Sequence, residues 1–459
     1  MTGYWIFTGC MIILIILYLA HRKGISAHSI ECMIFGGGSV GTMGLTCSVF
    51  AAWMWTTSVF GSAETYALFG IWGPITYVLG ACIAFAGLIG MIVFLRRHYP
   101  KAVTWLEFIQ VRYGRWTKLC FYLFAVIVPA YVLIEQGVGI AFVLETFYGS
   151  SFRIISFLSV IVTMGFVLLG GMKLVIAEEK LAAAIIIAGF IVGAVSAIVG
   201  TDVTPVKLQA ISMNDLGLAG RISVSAIQYF VLAIIIAFGQ IAFDPAYYLK
   251  ASMAKNEKKM VWAYLLGGII IWGFITLAAS IYMGYAATAA GNEVTDLFRG
   301  PARAVFSFII IIIGISTIAH FMIGMMGVFS TDLYSTVIRQ GGSDREKMIF
   351  GRVMLIAVGL SCASMTIALE NISLLTLDVF CAIFFAAPCV PLVFGCISQR
   401  NFGRLPVMAT IMGIIGGLII WPVIPFGQQA SQLAGVGASL LISLLIMLIG
   451  CVRRMPYDR

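Results

Sequence analysis

The sequence predicts an all-α integral membrane protein. Three observations carry that prediction: an apolar composition, apolar stretches of spanning length, and basic residues gathered on one side. Hydrophobic residues make up 61% of the 459 residues and charged residues 10%, against roughly 45–50% and about 25% in soluble domains. A soluble fold of this length cannot hide so much apolar surface, whereas a bilayer accepts it. No soluble domain is legible at either end or in any connection. The ten cysteines, such as Cys47, Cys82 and Cys389, fall mostly inside apolar runs without Cys-x-x-Cys spacing. They read as small core residues rather than metal ligands or disulfide partners.

About 20 apolar residues in a helix cross about 30 Å of hydrocarbon. Thirteen such stretches are expected, near 3–20, 40–66, 70–95, 116–147, 151–171, 181–199, 222–248, 259–286, 301–335, 348–368, 371–396, 405–425 and 432–452. The first lacks a basic leader and a cleavage site, so it reads as a retained span and not a signal peptide.

Charge gives the orientation. The connections after odd-numbered spans hold clusters such as Arg22/Lys23, Arg96/Arg97, Lys258/Lys259 and Arg453/Arg454. Of the 28 Lys and Arg, only Arg153, Lys207, Arg221, Arg299 and Arg303 fall on the other side. The positive-inside rule then puts the N-terminus outside, and the Lys250–Lys259 loop and the C-terminus in the cytoplasm of a cell-membrane protein. The net charge of +9 is thereby a topology signal, and nucleic-acid binding is excluded as its explanation.

Some residues do not suit an inert bundle. Span 2 holds Ala51-Ala52-Trp53-Met54-Trp55-Thr56-Thr57-Ser58, three hydroxyls beside two tryptophans, with Glu64 following. Span 7 holds Phe238-Gly239-Gln240 and then Asp244-Pro245. Proline removes a backbone donor and disfavours helix in the residue before it. Polar groups with Gly or Pro at corresponding points of two spans, five apart, predict two interrupted helices, the pattern of transporters built from inverted repeats. Ordinary helix kinks are the alternative. Glu135, Gln136, His320 and Asp378 also lie at membrane depth, where a charge costs about 2.5–3.5 kcal/mol on insertion scales. Glu135 reads equally as a substrate or ion contact and as a buried structural acid. His320 reads first as a neutral interhelical histidine, and Asp378, about two turns from the outer end, as interfacial.

In five segments the sequence resembles the sodium:solute symporters, which include sugar, proline, sialate and urea permeases. They are Gly36-Gly37-Gly38-Ser39-Val40 (Gly38 replacing the family's arginine), Thr104-Trp-Leu-Glu107-Phe with Arg112-Tyr113-Gly114, Leu169-Gly170-Gly171-Met172-Lys173, Tyr248–Lys255, and Ile315-Ser316-Thr317 leading to Asp332-Leu333-Tyr334. They run in the family's order from about Ser29 to Arg400. Trp53-x-Trp55, Gly70-Ile-Trp-Gly73-Pro74-x-x-Tyr77-x-x-Gly80-Ala81 and Tyr264-Leu-Leu-Gly267-Gly268 look nearest to the urea-permease branch.

The resemblance implies a leucine-transporter-like fold of two inverted five-helix repeats with discontinuous first and sixth core helices. The first repeat falls on 40–200 and the second on 201–400. An extra helix and cytoplasmic link occupy 1–39, and two further helices and a tail 401–459. It implies a sodium site from the carbonyls of Ala51, Met54 and Ile313 and the hydroxyls of Ser316 and Thr317. The family's ion-path aspartate falls on Glu179, one methylene longer. The sugar-contact positions fall on Ser58, Tyr77 and Gln240 and differ from the sugar carriers' residues. The expected activity is sodium-coupled symport of a small polar or cationic solute, a urea-like amide or small amine, with no cofactor beyond the coupling ion and with lipid as the surrounding partner. Glu64 and Glu135 are expected to face the solute, which disfavours anions. A proton-coupled permease and a solute sensor remain open. No Gly-x-x-x-x-Gly-Lys-Ser/Thr motif marks an ATP-driven carrier, and enzymatic chemistry is not expected, because the four histidines form no His/Cys metal cluster and no convincing Ser/His/Asp set.

Overall fold

The computed structural model describes residues 1–24, 29–100, 102, 104–199, 222–370, 372, 374–398, 400, 402–423 and 428–452. Lys207, Arg221, Arg453 and Arg454, used above for orientation, lie outside the described residues. Among the described residues there is no strand, only one isolated bridge between Val40 and Ala254. The helices are α1 (Thr2–His21), α2 (Ile30–Ile34), α3 (Thr42–Trp53), α4 (Thr56–Phe69), α5 (Trp72–His98), α6 (Trp105–Tyr113), α7 (Arg115–Phe121), α8 (Phe124–Tyr148), α9 (Phe152–Val199), α10 (Val224–Ala242), α11 (Pro245–Ser252), α12 (Glu257–Tyr264), α13 (Trp272–Ala290), α14 (Pro301–Gly327), α15 (Asp344–Thr366), α16 (Leu374–Ile397), α17 (Leu405–Val423) and α18 (Gln428–Val452). Two π-helical stretches, Leu265–Ile271 and Val328–Ile338, join α12 to α13 and extend α14.

Among the described residues, ten helical segments are long and apolar enough to cross a membrane. An eleventh is the pair α3–α4, bent by 55° at its break. The segment Phe152–Ser196 runs through both 151–171 and 181–199, and Leu405–Trp421 is a shorter apolar helix. The chain is thus a multi-pass helical membrane protein. Peripheral helices present apolar stripes outward at helical spacing: Trp5, Ile12 and Ile16 on α1; Met408, Ile411, Ile415 and Ile419 on α17; Leu441, Leu445 and Leu448 on α18. In water such stripes would be a liability, and in lipid they are matched to their solvent. At the other extreme is α14, whose most apolar window is 89% buried, against 22% for α1. It packs on α3, α8, α9 and α11, and carries Ser316, Thr317 and His320 into the protein interior.

Both expected interruptions are present. At the first, Met54 (φ −84°, ψ 100°) and Trp55 (φ −101°, ψ 165°) are extended. A helix end in a dry interior needs partners for its free amides, and side chains supply them. Ser58 Oγ accepts from Trp55 N at 3.2 Å and Gln136 Oε1, from α8, accepts from Thr56 N at 2.9 Å. At the second, α10 stops at Ala242, and Asp244 caps α11 by accepting from Ala246 N at 2.9 Å, with Pro245 opening the helix. A third break lies within α9, where Gly171 sits at φ 59°, ψ −160°. A Cβ there would lie 2.5 Å from Met33 O, so both space and backbone conformation require glycine. At Gly324 of α14 a Cβ would lie 2.7 Å from Ala246 N. Its absence lets α14 approach the start of α11.

Several motif residues turn out to be ties between elements. Glu107 accepts from Thr104 N at 2.6 Å, a capping box for α6. Arg112 donates to the carbonyls of Gly395 in the last turn of α16 and of Ser398 and Arg400 beyond it. Lys118 of α7 pairs with Asp332 at 2.5 Å.

Candidate functional site

The first break opens onto a small cavity between α3–α4, α5, α10, α13 and α16. Its lining includes Trp53, Trp55, Thr57, Ser58, Tyr77, Tyr229, Gln240, Trp272 and Asp378. Ser58, Tyr77 and Gln240 were expected to be substrate contacts on separate spans, and the fold brings them to one space. The cavity offers about 30 Å³ to the centre of a water-sized sphere. Since about 10–15 Å³ so measured holds one water, it suits a solute of a few heavy atoms.

Its walls are aromatic. Trp53 meets Trp55 edge-on with centroids 5.2 Å apart and Trp272 at 5.4 Å. The indole N–H groups of Trp53 and Trp272 are buried without a hydrogen-bond partner. The acceptor side is Asp378. Tyr131 OH donates to its Oδ1 at 2.6 Å, and Gln240 Nε2 donates to the same oxygen. A buried carboxylate, the hydroxyls of Thr57, Ser58 and Tyr77 and the Gln240 amide in the lining of one small space suit a polar guest.

Glu135 is fully buried but stands behind this wall, beside Thr57, Tyr131 and Asp378. Gln136 Nε2 donates to its Oε2 at 3.2 Å, and its Oε1 has no partner. The expectation that Glu64 faces the same space is corrected. Glu64 lies on a separate cavity with Glu145 and Glu370. Ser58 and Glu64 are six residues apart, which turns a helix by about 240° and sends the two side chains to different neighbours. Asp378, expected as interfacial, is instead a buried cavity residue.

Next to the cavity lie the residues expected to hold sodium. Thr317 Oγ1 donates to Met54 O at 3.1 Å across the break. Ala51, Ile313 and Ser316 are buried on the same two helices, α3 and α14. One turn along α14, His320 begins a charged cluster. Lys250 Nζ of α11 donates to Glu179 of α9 and meets His320 Nδ1 at 2.5 Å. His320 Nε2 meets Asp244 Oδ2 at 2.7 Å, and Ser48 of α3 donates to the other Glu179 oxygen. Lys250, Glu179, Asp244 and His320 are all buried. Glu179 is therefore ion-paired, and Lys250, counted above among cytoplasmic loop bases, is corrected to a core residue.

No protein-family model matches the chain. It is 22% identical over 435 residues to the Probable urea active transporter 1 of Schizosaccharomyces pombe, covering 86% of the chain and 65% of that protein. It is 22% identical over 458 residues to the Urea active transporter of Saccharomyces cerevisiae (91% and 61%) and 20% identical to a urea-proton symporter of Oryza sativa subsp. japonica (93% and 67%). The chain spans under two thirds of the length of the two fungal relatives. Among solved structures, a Na⁺-coupled sialic acid symporter in a substrate-bound outward-open state superposes with TM-score 0.74 at 15% identity, covering 98% of each chain. MhsT bound to L-phenylalanine gives 0.54 at 13% identity, covering 89% of this chain and 98% of that one. The chain shares their overall helical fold.

Proposed function

We propose that this chain is a secondary active symporter of the sodium:solute symporter type that carries a small neutral amide, urea or a close analogue, with a monovalent cation. The observation that carries the reading is the cavity at the α3–α4 break. The hydroxyls of Thr57, Ser58 and Tyr77 in its lining can donate to a carbonyl oxygen, and the Asp378 carboxylate suits amide N–H groups. The volume favours a solute of urea's size, and the curated relatives named for urea favour the same choice. In this reading α3–α4 and α10–α11 are the discontinuous helices of two inverted repeats, at 40–200 and 201–400. Residues 151–199 then supply two crossings, and α17 and α18 complete thirteen.

Sodium is the coupling ion we favour, held by the carbonyls of Ala51, Met54 and Ile313 and the hydroxyls of Ser316 and Thr317, with Glu179 on its path. One inward sodium at −100 mV releases about 2.3 kcal/mol. With a tenfold gradient it could sustain accumulation on the order of 500-fold. Proton coupling is the second reading, favoured by the buried Lys250–Glu179–His320–Asp244 cluster and by the rice relative's name. Proteoliposomes loaded in potassium buffer and given radiolabelled urea separate them. Uptake should follow an imposed inward sodium gradient, whereas uptake that follows only an inward proton gradient selects the second reading. Uptake with neither sinks symport altogether.

Orientation has its own check. Cysteines introduced at exposed Thr2 and Lys255 in a variant lacking the ten native cysteines are expected to react differently with an impermeant thiol reagent on whole cells. Position 2 should label and position 255 should not, and the reverse pattern overturns the topology. For the ion site, Ser316→Ala with Thr317→Ala removes two oxygens while leaving α14 able to form. The sodium concentration for half-maximal uptake should rise several-fold, by about 1 kcal/mol of lost contact. Unchanged sodium activation would refute the site.

A further inference from the structure

Two adjacent acids sit on α9, and the structure treats them differently. Glu179 is ion-paired with Lys250, lies 3.3 Å from His320 Nδ1, and accepts from Ser48. Glu178 has no such partner. It is buried, with 2% of its surface exposed, and its Oε2 makes no hydrogen bond. The carboxyl lies beside Ser316, whose Oγ is likewise buried and unbonded. Lys250 is the nearby base, and its bonds go to Glu179 and His320. Around this point Glu178, Glu179 and Asp244 share one lysine, Lys250, with His320 lying between it and Asp244. A buried carboxylate without a compensating charge is costly, and hard cations seek oxygen ligands.

We propose that Glu178 is the charged ligand of the coupling-cation site, joining Ser316, Thr317 and the Met54 carbonyl around a sodium ion. This rests on the cation-site reading above and adds a ligand that it did not contain. It also divides the work between the two acids. Glu179 locks α9 to α11 through Lys250, and Glu178 meets the ion. Sodium binding would then draw α9 and α14 together at Ser316 while the Met54 carbonyl comes from the α3–α4 break.

The test uses the full-length protein in detergent, with sodium chloride replaced stepwise by choline chloride at constant ionic strength. Thermal midpoint is read against sodium concentration for wild type, Glu178→Gln, and Ser316→Ala with Thr317→Ala. Sodium should raise the wild-type midpoint saturably, by linkage. In Glu178→Gln the half-saturating sodium should rise about tenfold, the scale of one charge-assisted contact. Its midpoint without sodium should equal or exceed that of wild type, because an uncompensated buried acid has been removed. A structural acid would instead leave a less stable sodium-free protein, so a lowered sodium-free midpoint overturns the proposal. So does an unchanged sodium response in Glu178→Gln when the Ser316/Thr317 variant has lost its own. If wild type and all variants respond equally to sodium and choline, the cation-site reading itself fails, and Glu178 with it.

Discussion

Lys250→Ala is expected to lower stability by about 3–5 kcal/mol, the cost of breaking a buried pair from one side. The reason is what remains. Glu179 would keep its burial and lose its ammonium, and His320 would lose the donor at Nδ1. Asp244, which both caps α11 and accepts from His320, would be left in a more negative interior. The effect should spread, because the cluster joins α9, α11, α14 and, through Ser48, α3. The companion variant Lys250→Met with Glu179→Gln removes both charges at similar volume. It should recover most of the loss, since replacing a whole buried pair by neutral groups is often tolerated. Thermal unfolding of the three purified proteins in one detergent is the measurement. A Lys250→Ala midpoint equal to that of wild type would mean the pair is not formed in the membrane protein. A double variant as unstable as the single one would place the role of Lys250 in packing and not in charge.

The sequence made some of this visible, and physics explains which parts. Both helix breaks were legible because backbone chemistry marks them: proline after Asp244, and three hydroxyl residues after Trp55 that can serve a helix start. Ser58, Tyr77 and Gln240, far apart in sequence, line one cavity, and Thr317 reaches Met54. Lys250 was misplaced because a base shortly before Lys255, Lys258 and Lys259 looks like part of a loop. Nothing in a charge count reveals that Lys250, two residues before the exposed end of α11, turns inward to Glu179. Glu178 carries no signal in the sequence, because only its neighbour Glu179 matches a family position. Successive helical residues point about 100° apart, and which of two acids finds a base depends on the partners three-dimensional packing brings. Asp378 was noticed as an acid in an apolar span, but its depth depends on where α16 packs, which distance along the span does not reveal.

The substrate prediction turns on that residue. Asp378→Asn is expected to weaken urea binding by about 1.5–3 kcal/mol, the worth of a hydrogen bond to a charged group, or roughly 10- to 150-fold. Tyr131 OH and Gln240 Nε2 both donate to Oδ1, so Oδ2 is the carboxyl oxygen left for a solute N–H. Asparagine can keep the Oδ1 contacts, but it puts an NH₂ where Oδ2 was. A donor would then face the donors of the amide solute. Glu135→Gln should do less, because Glu135 stands behind Thr57 and Tyr131 and outside the cavity lining. Gln136 Nε2 can still donate to the retained amide oxygen. The measurement is the concentration dependence of radiolabelled urea uptake at saturating sodium for wild type and the two variants, normalised to protein in the membrane. A tenfold or greater rise for Asp378→Asn with a smaller one for Glu135→Gln supports the assignment. Equal affinity in wild type and Asp378→Asn would remove Asp378 from the substrate site. A larger effect at Glu135 would mean that the solute passes Thr57 and binds deeper than the cavity described above.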